Sequence, residues 1–363
     1  MSIIIFIIIL AILIFVHELG HFIVAKKSGV RVDEFALGFP PRLFSWQYGE
    51  TRYALNLIPF GGYVKIYGET PDEESLSGPD STRSLVNKPK KIQALVLVAG
   101  VSFNMLLAWI LLSLGFMIGL PLAVADVPVG GIVENQALTI VSVLAESPAE
   151  LAGLKPGDEI VQLTNTSDSV IPSTPTMVRD FISESDTPID FHLLRSGIET
   201  VITVEPVSGL LADLPAVGIA TEEVGIVSLP FFRSLYYGAR YTFDITALMI
   251  TSLGQIIVDL LSGQSLETLI VGPVGIVGLV GDAASLGFIH LLTFTALISI
   301  NLAIINLLPF PALDGGRILF LVIEALKGSP IKPNVANTLN LIGFSILILL
   351  MLFVTFNDII RLF

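Results

Sequence analysis

Two histidines four residues apart, His17 and His21, stand in the stretch IFVHELGHFIVAKK with Glu18 directly after the first. On a helix, positions i and i+4 share one face about one turn apart, so both imidazoles can hold a single cation. Glu18 lies roughly 100° further round the helix, which suits a base acting on water beside a metal better than it suits a ligand. The chain has no cysteine, so disulfides and thiolate metal sites are excluded. Zinc suits two imidazoles and a carboxylate and needs no thiol.

The surroundings sharpen that reading. The stretch belongs to an apolar run long enough to cross a bilayer, where a glutamate and two histidines cost on the order of several kcal/mol unless paired or metal-bound. A third ligand is then expected at the same depth. A later apolar run ends in NLLPFPALDGGR, Asn306 to Arg317, in which two prolines break the helix and Asp314 precedes two glycines. Irregular backbone at membrane depth is tolerated only where protein or a water-filled cavity surrounds it. Asp314 is the expected third ligand. His192 and His290 lack partners at ligand spacing and are expected to be structural.

Hydrophobic residues make up 53% of the 363 and charged residues 14%, a composition that points to a polytopic α-helical membrane protein. Four spans are expected: residues 1–25, 92–120, 288–316 and 339–357. The first has neither the basic start nor the small-residue cleavage site of a signal peptide. Ten of the 19 Lys and Arg fall between Phe22 and Lys91. By the positive-inside rule residues 26–91 are cytoplasmic, as is the loop 317–338, and both termini lie outside the cell membrane. Asp126 to Glu223 holds 16 acids and three bases, which favours solubility; no nucleic-acid signal is present.

Within the cytoplasmic segment, Val30 to Tyr67 reads as short strands or hairpins with turns at GFPP and YGET, and Glu69 to Lys91 as a mobile linker. Residues 127–207 read as a compact α+β domain. There SPAELAGL starts a helix with Ser147 as N-cap, Pro148 at the first position, Glu150 closing a capping box and Gly153 as the stop, and a hairpin turns at Arg195 to Gly197. Residues 208–287 include Leu235 to Gly263, on which Arg240, Asp244, Thr251, Gln255 and Asp259 share one helical face; an interfacial or protein-packed helix is expected. Four spans make the HELGH run and the run ending at Asp314 point the same way, whereas a fifth crossing would separate the ligands. The Gly-rich Val271 to Gly281 is expected to be re-entrant or tightly packed.

HELGH in the first span, the SPAELAGLKPGDEIVQL core and NLLPFPALDGG late in the chain together resemble the site-2 protease family of intramembrane zinc metalloproteases, in particular its bacterial regulator-of-sigma-E protease branch. The domain core resembles a single, circularly permuted PDZ domain, a module that binds peptides by adding a strand to a sheet edge. The resemblance implies zinc held by His17, His21 and Asp314, with Glu18 catalytic. It links Asn306 to the substrate or transition state, and Asn104 to the same region through AGVSFN, where Val101 replaces the usual proline. It implies that LNLIPFGGYVKIYGE, with Gly61 and Gly62, forms a membrane-associated β-hairpin whose edge pairs with unwound substrate. The expected substrates are single-span membrane proteins, such as anti-sigma factors or signal-peptide remnants. Two other readings stay open: a catalytically inert membrane scaffold or chaperone carrying the PDZ-like domain, and a metal transporter, for which the other spans offer few polar residues besides Asn104 and Asn340.

Overall fold

The structure, a computed structural model, describes residues 1–70, 73–195, 197–211, 214–262, 272–329 and 331–360. Ser196 of the expected hairpin turn, Gly263 and Val271 lie outside the described residues. The elements run α1 (Ser2–Lys27), β1 (Val32–Tyr48), β2 (Thr51–Ile66), α2 (Glu73–Ser77), α3 (Lys90–Ile118), β3 (Leu120–Ala123), β4 (Ile132–Val143), α4 (Pro148–Ala152), β5 (Glu159–Thr164), β6 (Ser169–Val170), α5 (Pro175–Ser183), β7 (Ile189–Arg195), β8 (Ile198–Val204), β9 (Val207–Leu211), β10 (Leu214–Ala216), β11 (Ile219–Ser228), α6 (Phe231–Leu261), α7 (Pro273–Ser285), α8 (Phe288–Leu307), α9 (Asp314–Lys327) and α10 (Pro333–Ile360). The chain divides into two compact units.

The first unit takes residues 1–112, 238–284 and 291–363. Among the described residues five helices are long and apolar enough to cross a membrane: α1, α3, α6 over Phe231–Asp259, α8 and α10. Four of these, α1, α3, α8 and α10, overlap the expected spans, but α8 stops at Leu307, where the prolines break it, short of the expected 316, and Asp314 opens a separate helix. The fifth, α6, packs Tyr241, Ile245 and Met249 against buried Ala108, Leu112, Ala296 and Ile300. Its polar residues bond along the helix, with Arg240 3.6 Å from Asp244 and Gln255 donating to Asp259 at 2.8 Å. The Gly-rich segment after it forms α7, whose Val280 is buried against Ile9 and Leu13. Its N-terminal turn is tied to α10, because the Asp358 carboxylate accepts the N–H groups of Gly272 and Gly275 at 3.1 and 2.9 Å.

β1 and β2 pair along most of their lengths, and the pairing breaks register at the GFPP stretch, which forms an irregularity inside β1 and no turn. Phe35 has Val64 on one side and Tyr53 on the other, while Phe44 and Trp46 pair with Leu55 and Tyr53. Side by side, the stretches therefore run 42–48, 51–58, 32–37, 62–66, and 62–66 is an outer edge. Buried Val32, Phe35, Val64 and Ile66 pack with Ala25 of α1 and Val96 of α3, which sets that edge beside α1. At the hairpin turn Glu50 accepts from Lys26 at 2.8 Å and Arg83 at 2.7 Å, and these cations hold its carboxyl below the usual carboxylate range. The expected mobile linker is instead folded into α2 and two short 3-10 turns. Asn87 holds it by donating to the carbonyls of Ser75, Leu76 and Ser81, and Arg31 by donating to Asp80 at 2.8 Å.

The second unit takes residues 113–237 and 285–290. Its main sheet has the order β3-β11-β4-β5-β7-β8, with β6 on β5. Along β7 the period of two turns Ile189, Phe191 and Leu193 into the core with Ile140 and Leu163. Ser147 caps α4 by accepting from Glu150, whose carboxylate accepts the N–H of Glu146, and Gly153 ends the helix in the left-handed region. His192 is a sheet residue 3.2 Å from Thr164 Oγ1.

Asp158, only 1% exposed, accepts both Nε and Nη2 of Arg195, at 2.6 and 2.7 Å. Removing Arg195 leaves a buried charge unpaired, which costs about 3 kcal/mol. Arg195→Ala should lower the unfolding free energy of this domain by about that amount and so bring its urea midpoint down by about 1–3 M, read by pulse proteolysis of the full chain; an unshifted midpoint would contradict the pairing.

Candidate metal centre

α1 and α3 meet where their side chains are smallest. A methyl at Gly20 would stand 2.5 Å from the carbonyl oxygen of Ala99, so the two backbones touch there. Val96, Gly100 and Asn104 follow one another at intervals of four on α3, the same interval that separates His17 and His21 on α1. This face of α3 is the back wall of the site. His21 Nδ1 lies 2.8 Å from the Val96 carbonyl oxygen, and His17 Nδ1 lies 3.2 Å from the Asn104 amide. Between them, a methyl at Gly100 would come 2.3 Å from His21 Nε2 and 2.7 Å from His17 Nε2. Val101 leaves α3 unbroken and is itself buried.

Asp314 reaches the histidines from the far end of the chain. After α8 ends, Pro309 and Pro311 prevent its continuation, and Ala312 takes φ 77°, a left-handed conformation that costs a non-glycine residue energy. The Ala312 N–H donates to Asn340 of α10 at 3.3 Å. Gly315 and Gly316 let α9 start tight under that loop: methyls there would lie 2.2 Å from the carbonyl oxygens of Leu308 and Phe310. Asp314 thus opens α9, where unpaired N–H groups favour an anion.

His17 Nε2 and Asp314 Oδ2 are 3.0 Å apart, His21 Nε2 and Asp314 Oδ2 3.2 Å, and the two Nε2 atoms 3.2 Å. Tetrahedral zinc with ligands at roughly 2.0–2.2 Å spaces them about 3.3 Å apart. The triangle therefore matches one face of such a tetrahedron. Among the described residues it is the one group of three such side chains able to share an ion. His17, Glu18, His21 and Asp314 line a cavity of about 320 Å³ with Gly62, Tyr63, Val64, Ile66, Glu69, Ala312 and Arg317.

The other expected site residues divide. Gly62 belongs to the cavity wall, where a methyl would lie 3.4 Å from Glu18 Cγ; Gly61 faces the Phe39 ring instead, because successive strand residues alternate sides. Asn104 is buried against His17. Asn306 sits in the last turn of α8, half-buried, and among the described residues no hydrogen bond joins it to the triad. Sequence reasoning missed Gly100 and Val96, although their spacing of four mirrors that of the histidines. It also missed Arg317, one turn after Asp314, which is ion-paired with Glu69 at the cavity edge.

Gly100→Ala should cut bound zinc from about one per chain to a small fraction, with helix content by circular dichroism unchanged. Full zinc loading of this variant would show that the cation sits elsewhere.

The sequence profile of peptidase family M50 matches residues 5–350. A Clostridium perfringens relative is 36% identical over 96% of this chain and 95% of its own length. Zinc metalloprotease RasP of Oceanobacillus iheyensis is 31% identical over 100% of this chain and 99% of its own. The regulator of sigma-W protease RasP of Bacillus subtilis is 29% identical over 100% and 99%. A match over nearly the whole chain, on top of a zinc-sized triangle of ligands at the end of an apolar helix, makes the chain a member of peptidase family M50, the site-2 proteases.

Proposed function

We propose that this chain is an intramembrane zinc metalloprotease that cleaves peptide bonds within or beside the transmembrane segments of single-span membrane proteins. The observation that carries the reading is the triangle of His17, His21 and Asp314 at 3.0–3.2 Å, opening on a cavity that Glu18 also lines. Zinc held by these three would polarise the scissile carbonyl and acidify water. Glu18, which lines the same cavity, would take a proton from water as its oxygen adds to the carbonyl carbon and pass that proton to the amine nitrogen as the C–N bond breaks. The outer edge 62–66 of β2 runs along the same cavity, with the Val64 backbone amide facing Glu18. An extended segment adding to that edge has its peptide bonds unshielded, whereas a helical one does not. Asn306 is available to a bound substrate. By analogy with the Bacillus subtilis relative, a membrane protein that restrains a sigma factor is the first substrate class to try.

The second unit is read as a PDZ-like peptide-binding domain. Val178, Arg179 and Ile182 of α5 line a groove with Ala216 to Ile219, beside the part of β11 that pairs with β4 on one side and, among the described residues, has no strand paired on the other. An extended peptide fits there by strand addition.

The proposed site is consistent with the following membrane topology. α1 and α8 both end at the triad, so an odd number of crossings separates them; α3 supplies one, and α6 with the segment after it supplies no net crossing. Four spans, with α6 along the interface and Lys- and Arg-rich residues 26–91 in the cytoplasm, satisfy this.

Purified Glu18→Gln should keep about one zinc per chain and lose cleavage of a tagged single-span substrate by at least about 100-fold. Cleavage surviving in this variant would favour the inert-site scaffold or a different base.

A further inference from the structure

Asn104 is completely buried, touches a ligand histidine, and takes no part in the chemistry above. Its neighbourhood nonetheless specifies what it does. A neutral imidazole carries one proton, so an Nε2 that offers its lone pair to a cation requires the hydrogen on Nδ1, and that hydrogen needs an acceptor. His21 has one: its Nδ1 lies 2.8 Å from the Val96 carbonyl oxygen, which can only accept. For His17 the group in the equivalent position, two turns further along the same face of α3, is the Asn104 side-chain amide at 3.2 Å.

An amide presents either an acceptor oxygen or a donor nitrogen, and the two ends exchange places on half a turn of the group. With the nitrogen toward His17, the imidazole is forced into the tautomer that points a hydrogen into the triangle. The Asn104 oxygen is then buried with no donor. With the oxygen toward His17, Nδ1 donates to Oδ1, Nε2 faces Asp314 and His21 as a lone pair, and the amide nitrogen takes the place of the unpartnered oxygen. Complete burial of the side chain and the hydrogen bond from Ser299 Oγ to the Asn104 carbonyl, 2.8 Å, hold this turn of α3 in place.

We propose that Asn104 is a positioning residue whose side-chain oxygen accepts the Nδ1 hydrogen of His17, fixing the tautomer and ring orientation that direct Nε2 to the metal. The α3 helix then serves both histidines alike, one through a backbone carbonyl and the other through an amide. Asn104 acts on the ligand and not on the substrate, in contrast to the sequence expectation. The inference rests on the zinc site proposed above.

The test uses the full-length chain in detergent. Zinc affinity, measured by competition with a chelator, should fall by roughly 10–100-fold in Asn104→Ala and return to within about threefold of wild type in Asn104→Asp, whose carboxylate accepts the same hydrogen. Equal zinc affinity in wild type and Asn104→Ala, with KM raised, would put Asn104 on the substrate and overturn the proposal. Equal weakening by Ala and Asp would reduce the residue to packing. A second measurement needs no variant. Nitrogen-15 spectra of the four histidines in the zinc-loaded protein should show both His17 and His21 protonated at Nδ1, and a His17 signal protonated at Nε2 would also overturn it. Failure of wild type to bind zinc would sink the metal site itself, whereas normal wild-type loading with an indifferent Asn104→Ala sinks this inference alone.

Discussion

Three electron-rich atoms, two imidazole nitrogens and a carboxylate oxygen, converge to within 3.2 Å of one another in an enclosed site. Their side chains are 10%, 9% and 19% exposed, so water cannot screen the repulsion of the lone pairs. A cation at the centre would turn that repulsion into attraction. The rest of the first unit is arranged so that this convergence can happen. Backbone contact at Gly20 and Ala99, the missing side chain at Gly100, and the two glycines after Asp314 each remove a group that would stand in the way.

The elements around the triangle divide the work. α1 supplies the two proposed ligands and the proposed base from adjoining turns, since a helix separates neighbours by roughly 100°. α3 puts a polar group beside the Nδ1 of each ring, the Val96 carbonyl at His21 and the Asn104 amide at His17. The broken backbone between α8 and α9 brings in Asp314 at a helix start, with Asn340 steadying the strained Ala312. The 62–66 edge of β2 closes another side of the cavity through Gly62, Tyr63, Val64 and Ile66.

The convergence of His17, His21 and Asp314 was legible because its signals are local. A four-residue interval in an apolar run and a proline-broken helix end in LDGG are each readable without knowing any partner. The α4 cap was legible for the same reason: Ser147, Glu150 and Gly153 act on their own turn. What could not be read depends on distant partners. GFPP looks like a turn until Phe35 is seen between Val64 and Tyr53. The segment after Glu69 looks like a linker because its order comes from Asn87 and Arg31 bonding across it. α6 is long, apolar and striped with polar groups, so its composition suits a span and an interfacial helix equally. The contact of Asn104 with His17 could not be read because the two residues are 87 positions apart.

The account stands or falls on which atoms hold the metal, and zinc K-edge X-ray absorption of the purified chain reads those atoms directly. The triangle predicts a first shell of light atoms at about 2.0–2.2 Å, with the outer-ring scattering of two imidazoles and one carboxylate, and loss of the carboxylate contribution in Asp314→Asn. A shell with one imidazole or none, or one unchanged by Asp314→Asn, would contradict the site on which every step of the proposed hydrolysis depends.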